Sequence, residues 1–137
     1  GANLIVKTLE EIEKGSAIRI KQDDSLATYA CLIDKSMSKI DWSKNAYTIH
    51  NLVRGLNPWP GALTILNDKI LKIHKTKVVE DVNGTMGQLK SLNPCIVCCG
   101  DNTAIELLEV QFEGKKRMPA VDFFRGQRIE AGFSFIN

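Results

Sequence analysis

The chain has 137 residues and a formal net charge of +2, from 18 basic and 16 acidic side chains, and 44% of its residues are hydrophobic. A chain of this length supports one ordinary core, so we expect one domain with a small appendage. The composition excludes a disordered chain. No apolar run approaches the roughly 20 residues that cross a bilayer, and the first residues lack a signal-peptide pattern. Four cysteines in this length do not indicate a disulfide framework, which favours a cytoplasmic location.

The first predicted element is an amphipathic helix over residues 4–14. Ile5, Leu9 and Ile12 recur at helical spacing among charged residues, and Gly15 follows. A helix this short is marginal alone, so we expect its apolar stripe to need a covering partner. Residues 15–36 are mostly polar without a sustained period and are predicted to form a linker.

A second helix is predicted from Ser43, a plausible N-cap, to Asn57-Pro58, which ends it. Its apolar face is predicted to consist of Ala46, Ile49, Leu52, Val53 and Leu56.

After Pro60 the pattern changes to short strands separated by turns. The predicted strands cover residues 62–66, 70–79, 87–90, 95–99 and 103–112, and Asn67-Asp68 joins the first two as a hairpin. Pro119 at position N1 and Gly126 at C′ are predicted to bracket a short helix over 120–125. The fold class is therefore predicted to be mainly β (α+β): a small Greek-key, OB-like β-barrel with one packed N-terminal helix, preceded by a linker and a short orphan helix.

The small net charge conceals a strong segregation along the chain. Residues 37–78 contain seven basic and two acidic side chains, a net +5, whereas residues 79–112 contain one basic and five acidic side chains, a net −4. The flanking segments 1–36 and 113–137 carry −1 and +2. A concentration of Lys and Arg on one side of a small barrel attracts a phosphate backbone, so nucleic acid is one candidate partner. Lysine-rich strands are also a common protection of sheet edges.

No catalytic or metal-binding constellation is found in the sequence. Cys95, Cys98 and Cys99 have the spacing of half a zinc site, but a second ligand pair is missing, so they are predicted to be small core residues. His50 and His74 have no nucleophile or carboxylate in a recognisable arrangement and are predicted to be surface histidines. Core packing is predicted for the aromatic residues that adjoin helix or turn signals, which are Trp42, Trp59, Phe123 and Phe124.

One run is far more specific. Residues 49–62, IHNLVRGLNPWPGA, follow Ile40-Asp41-Trp42, and the chain closes with GKKRMPA over 114–120 and FFRG over 123–126. This pattern resembles the C-terminal domain of the methionyl-tRNA formyltransferase family. Weaker similarities cover nearly all of the remaining chain and comprise Gly100-Asp101, Gln22-Asp23, Ala27–Ala30 and the helix within residues 1–14.

The resemblance implies a fragment of a larger enzyme. Residues 1–14 are then the last helix of a missing N-terminal Rossmann-type domain, residues 15–36 the interdomain linker, and residues 37–137 the C-terminal domain. In this family the N-terminal domain binds 10-formyltetrahydrofolate and transfers the formyl group to the amine of initiator methionyl-tRNA. The present chain is therefore expected to hold no cofactor or metal, to contain no catalytic residue and to be inactive alone. Its expected partners are initiator methionyl-tRNA and the N-terminal domain in cis, with no membrane.

The resemblance and the charge pattern together predict residues that contact tRNA phosphates. They are Arg19, Lys21, Arg54, Lys72, Lys75, Lys77, Lys115, Lys116 and Arg117. Two alternatives stay open: the C-terminal domain of a related sugar-nucleotide formyltransferase, and a stand-alone oligonucleotide-binding barrel. The basic segments favour tRNA over a sugar nucleotide, which offers few phosphates.

Overall fold

Helix α1 spans Ala2–Glu13 and confirms the first predicted element. The computed structural model describes residues 1–135 and divides into two units, Gly1–Cys31 and Leu32 onward. In the first unit α1 ends before Gly15, which adopts φ +68°. A single 3₁₀ turn, Asp24–Leu26, follows, and the side chain of Asp23 caps it. None of the residues of α1 is buried, so its apolar stripe is exposed.

Helix α2 spans Ala46–Gly55 and begins later than the sequence predicts. The N-cap is Asn45, whose side chain accepts a hydrogen bond from the backbone N–H of Thr48 at 2.9 Å. The prediction of Ser43 is wrong because the backbone N–H and the hydroxyl of Ser43 both donate to Asp41 Oδ1, at 3.0 and 2.6 Å. Ser43 therefore belongs to a turn that precedes the helix. The predicted apolar face is confirmed by the buried side chains of Ala46, Ile49, Val53 and Leu56.

Six antiparallel strands form the sheet in the described part of the second unit, one more than predicted. They are β1 Ala62–Leu66, β2 Lys69–Val79, β3 Leu89–Leu92, β4 Cys95–Cys98, β5 Ala104–Phe112 and β6 Met118–Pro119. The strand order is β1-β2-β5-β4-β3, and β6 pairs with β5. Asn67 and Asp68 join β1 to β2 with φ values of +50° and +61°, as the turn residues of the predicted hairpin require.

Strand β3 begins two residues later than predicted. Gly87 has φ +77°, which lies outside the strand region, and the regular strand starts only at Leu89. The other strands lie within one residue of their predicted bounds. The mixed α+β class with an antiparallel sheet is confirmed, whereas closure into an OB-like barrel stays a prediction.

Helix α3 spans Ala120–Gly126 and is longer than predicted. Pro119 is its N-cap rather than its first helical residue, and Gly126 is helical rather than the residue after the cap. The helix is capped by Gln127, and the left-handed backbone expected at C′ falls on Arg128, with φ +55°.

The core of the second unit lies between the sheet and α2 and α3, and aromatic rings fill one end of it. Trp42 stacks on Phe135 with ring centroids 5.3 Å apart, and its indole N–H donates to Thr64 Oγ1 at 3.2 Å. Phe123 and Phe124 are also buried, which confirms three of the four predicted core aromatics. Trp59 is the exception, because 59% of its surface is exposed.

Cys95, Cys98 and Cys99 are buried in and just after β4, as predicted for small core residues. Burial raises the pKa of Cys95 and of Cys99 to about 12. Within residues 1–135 no group of three or more His, Cys, Asp or Glu side chains is arranged to hold a metal ion. Over the same residues, no helix has the length and apolar character needed to cross a membrane.

Candidate nucleic-acid interface

Three of the predicted tRNA-binding lysines lie on β2, which carries a β-bulge in its middle. Ile73 pairs with Val110 and Lys75 with Glu109, so His74 lies between two paired residues without a partner of its own. A second shift in register follows between Lys75 and Thr76. A bulge of this kind inserts one residue into the alternation of a strand.

The bulge decides which face of the sheet the lysines occupy. In a regular strand Lys72 would point to one face and Lys75 and Lys77 to the other, because the side-chain period is two. Here Leu71 and Ile73 are buried before the bulge and Thr76 after it, while Lys75 and Lys77 are exposed. The extra residue therefore places Lys72, Lys75 and Lys77 on the same outer face.

His74, the bulged residue, is buried with only 7% of its surface exposed, so its prediction as a surface histidine is wrong. Gln111 Nε2 donates to the backbone carbonyl of Lys115 at 2.9 Å, which turns its Oε1 toward the ring. His74 Nε2 lies 3.0 Å from that oxygen and donates to it. Burial lowers the pKa of His74, the Gln111 bond opposes this, and Arg117 and Lys72 lower the pKa further.

His50 is the second histidine predicted at the surface, and it is half-buried. Its Nδ1 lies 2.9 Å from the hydroxyl oxygen of Thr76. The contact joins α2 to β2 two residues beyond the bulged His74. Both histidines therefore support the strand that carries the lysines, and neither adjoins a nucleophile arrangement.

The turn between β5 and β6 supplies three further predicted cations. Lys115 donates its backbone N–H to Phe112 at 2.9 Å, and Gly114 adopts φ +71°, which closes the turn. Lys115, Lys116 and Arg117 are exposed. Arg117 is close enough to His74 to affect its pKa, as Lys72 is, so the turn and β2 meet there. We call the six residues the basic surface: Lys72, Lys75, Lys77, Lys115, Lys116 and Arg117.

A cleft of about 270 Å³ lies beside this junction. The outer-face residues Ile70, Lys72, Gln111 and Glu113 line it, and Gly114 of the turn closes one side. It is the part of the basic surface where β2, β5 and the turn meet.

Acidic side chains of β5 lie opposite two of the lysines. Lys75 is in register with Glu109 and Lys77 with Glu106, whereas Lys72 is in register with the neutral Gln111. None of these lysines forms an ion pair within 4.0 Å to another described residue. The +5 and −4 segments of the sequence therefore lie side by side in the sheet, and among these three lysines only Lys72 has a neutral register partner on β5.

The remaining predicted residues lie elsewhere. Arg54 is exposed in the last turn of α2, where its Nη2 donates to Asn51 Oδ1 at 3.0 Å. Arg19 and Lys21 are exposed in the first unit. The structure thus brings together the six cations of the basic surface, while the tRNA contacts of all nine residues stay predictions.

Comparison with known proteins identifies the family of the chain. Residues 32–128 match the family described as formyl transferase, C-terminal domain, and this chain belongs to that family. The match covers the second unit from its first residue, through the sheet and beyond α3.

Curated relatives extend the similarity to nearly the whole chain. The chain is 48% identical over 130 residues to the methionyl-tRNA formyltransferase of Solibacter usitatus, a match that covers 94% of this chain and 42% of the relative. It is 41% identical over 140 residues to the methionyl-tRNA formyltransferase of Lachnospira eligens, covering 96% and 44%. The chain therefore spans less than half the length of these relatives. The family resemblance inferred from the sequence motifs is confirmed.

Solved structures share the fold at low identity. HypX from Aquifex aeolicus, in complex with tetrahydrofolic acid, matches with a TM-score of 0.56 and 18% identity over 88% of this chain and 22% of that chain. A multiple variant of HypX matches with a TM-score of 0.60 and 17% identity over 95% of this chain and 23% of that chain.

Proposed function

We propose that this chain is the C-terminal part of a methionyl-tRNA formyltransferase and that it holds initiator methionyl-tRNA by phosphate contacts. Family membership and two relatives of that name support the class of enzyme. The observation that carries the binding role is the bulge at His74, since it collects Lys72, Lys75 and Lys77 on one outer face.

The chemistry of the basic surface suits a phosphate backbone. Flexible lysines and an arginine offer charge-assisted hydrogen bonds to phosphate oxygens without reading bases. Each neutralised phosphate releases counterions, so such binding weakens steeply with salt. Holding a bound substrate in its reactive orientation lowers the barrier of a reaction at another site, because the entropy of orientation is lost on binding and before the chemical step.

In this proposal the formyl transfer belongs to a catalytic domain outside this chain. 10-Formyltetrahydrofolate supplies the formyl group there, and initiator methionyl-tRNA receives it on the methionine amine. This chain contributes binding and orientation, and we expect it to transfer no formyl group when assayed alone. Such a reaction belongs to translation initiation in the cytoplasm.

The test measures the binding of initiator tRNA and of other tRNAs to the 137-residue chain, whose second unit has its own core. Replacing Lys72, Lys75 and Lys77 together by alanine should weaken binding to all tRNAs to a similar extent, because phosphate contacts carry little sequence information. Lys7→Ala is the matched control, since Lys7 pairs with Glu11 on α1 at 3.9 Å.

Two outcomes contradict the proposal. A loss confined to initiator tRNA would show that these lysines read sequence or local structure. Tight binding of a sugar nucleotide, with no affinity for tRNA at low salt, would assign the chain to a sugar-nucleotide formyltransferase instead.

A further inference from the structure

Trp59 is a large aromatic side chain that the core does not use. Its exposed fraction is 59%, whereas Trp42, the other tryptophan of the chain, is 1% exposed. Pro58 and Pro60 flank Trp59, and each fixes its own φ near −65°, which restricts the backbone on both sides. The indole is therefore presented to solvent on a stiff segment.

One hydrogen bond and one close approach place this segment beside β2 near the bulge. Asn57 Nδ2 donates to the backbone carbonyl of His74 at 3.4 Å. On the other side, the position that a Cβ atom of Gly61 would occupy lies 4.0 Å from Cδ of Lys72. Trp59 is two residues from each contact, and two residues of chain span at most about 7 Å. The Cα atom of Trp59 therefore lies within about 7 Å of that of Gly61, the residue that approaches Lys72.

The residues paired with Lys72 across the sheet are neutral, and one carboxylate, that of Glu113, lines the same cleft. The paired residues are Leu63 and Gln111, and Arg117 lies near the same bulge. An exposed π-face beside cations is the combination that single-stranded nucleic acid binders use, because bases stack on the ring while the cations hold the backbone. An apolar protein surface would offer these cations no opposite charge.

We propose that Trp59 is a stacking platform for an unpaired nucleotide of the RNA held on the basic surface. The inference rests on the proposed function and adds to it a contact that depends on an unpaired base. Lys72 holds a phosphate of the same strand while the indole of Trp59 covers the base.

Tryptophan fluorescence tests the contact without any substitution. Trp59 is the accessible emitter of the two tryptophans, so a stacked base should change its emission and protect it from acrylamide. The probes are initiator tRNA, a single-stranded oligoribonucleotide and a blunt RNA duplex. We expect the first two to quench Trp59 and the duplex to bind without quenching.

Affinity measurements on variants provide the second readout. Trp59→Ala should weaken binding of the single strand about 10-fold, whereas Trp59→Phe should retain most of the affinity, since a phenyl ring also stacks. The slope of log affinity against log salt should stay unchanged in Trp59→Ala, because no phosphate contact is lost, and should fall by roughly one in Lys72→Ala. Tyr47→Ala is the matched control: Tyr47 is exposed, but its hydroxyl donates to Glu80.

The outcomes separate this inference from the proposed function. If the chain binds tRNA, but RNA does not change the emission of Trp59 and Trp59→Ala does not weaken the affinity, stacking is refuted while tRNA holding stands. Absence of any RNA binding at low salt refutes both. Equal quenching by duplex and single strand also refutes stacking, because a blunt duplex offers no unpaired base.

Discussion

Replacing Lys72 by alanine should reduce the salt dependence of tRNA binding more than replacing Lys77. Both lysines lie on the outer face of β2, but Lys77 is in register with Glu106 and Lys72 with neutral Gln111. A nearby carboxylate cancels much of the field that a lysine presents to a phosphate. Lys72 has no carboxylate in register, although Glu113 lines the same cleft, so it should behave as a fuller phosphate contact than Lys77.

The magnitude follows from counterion release. One phosphate contact contributes about 0.9 to the slope of log affinity against log salt on a duplex. Between 50 and 200 mM salt, one contact therefore changes the affinity ratio about 3.5-fold. We expect Lys72→Ala to lower the slope by about 0.9 and Lys77→Ala by less than half of that.

The assay is fluorescence anisotropy of labelled tRNA, titrated with each variant at four salt concentrations. Glu106→Gln provides the reciprocal test, since removal of the opposing carboxylate should tighten binding and steepen the slope. Lys7→Ala changes the same charge on α1 and should leave the slope unaltered. Equal slopes for Lys72→Ala and Lys7→Ala, or a larger effect at Lys77 than at Lys72, would refute the reasoning.

Three further predictions concern stability and reactivity. Gly100→Ala should destabilise the second unit by about 3 kcal/mol, because the added Cβ would lie 2.0 Å from a backbone oxygen. Gly55→Ala meets nothing within 4 Å and should stabilise α2 by about 0.5 kcal/mol. Folding lowers the pKa of His74 below its ordinary 6.5, so the stability that His74 contributes is complete above pH 6.5 and is lost as the pH falls toward the native pKa. The His74→Gln variant should therefore lose less stability than the wild type between pH 7.5 and 5.5. Cys31 is exposed and the other three cysteines are buried, so a disulfide reagent should modify one thiol in the native chain and four in denaturant.

Urea unfolding measures the first two effects, and absorbance of the released thiolate measures the third. The account of Gly100 is wrong if both glycine substitutions have the same effect. A wild-type chain and His74→Gln with identical pH dependence would contradict the buried neutral imidazole. Rapid modification of more than one thiol in the native chain would contradict the burial around β4.

Elements governed by local periodicity were predictable from the sequence. The spacing of apolar residues predicts α1 and α2, and Asn67-Asp68 predicts the hairpin because its geometry requires a positive φ at both positions. The cap of α2 was mispredicted because Ser43 and Asn45 are both good caps, and only the hydrogen bonds to Asp41 distinguish them.

The candidate site was predictable in residue type but not in arrangement. The sequence identifies Lys72, Lys75 and Lys77, yet strict alternation divides them between two faces, and the bulge at His74 depends on pairing with β5, about 35 residues away along the chain. The opposition of Lys77 and Glu106 is a long-range pairing of the same kind.

The exposure of Trp59 could not be predicted from the sequence, for a different reason. An aromatic residue beside prolines suits both a core contact and an exposed platform, and its local pattern does not separate them. The tertiary structure separates them: Trp42 stacks on Phe135 in the core, whereas 59% of the surface of Trp59 is exposed.

The most direct test of the central claim is titration of the 137-residue chain into labelled initiator tRNA from 50 to 300 mM salt. Six cations, two of them opposite carboxylates, predict a slope of log affinity against log salt of about −3 or steeper, with no formyl transfer by the chain alone. Absence of binding at 50 mM salt, or an affinity that is independent of salt, would contradict the account.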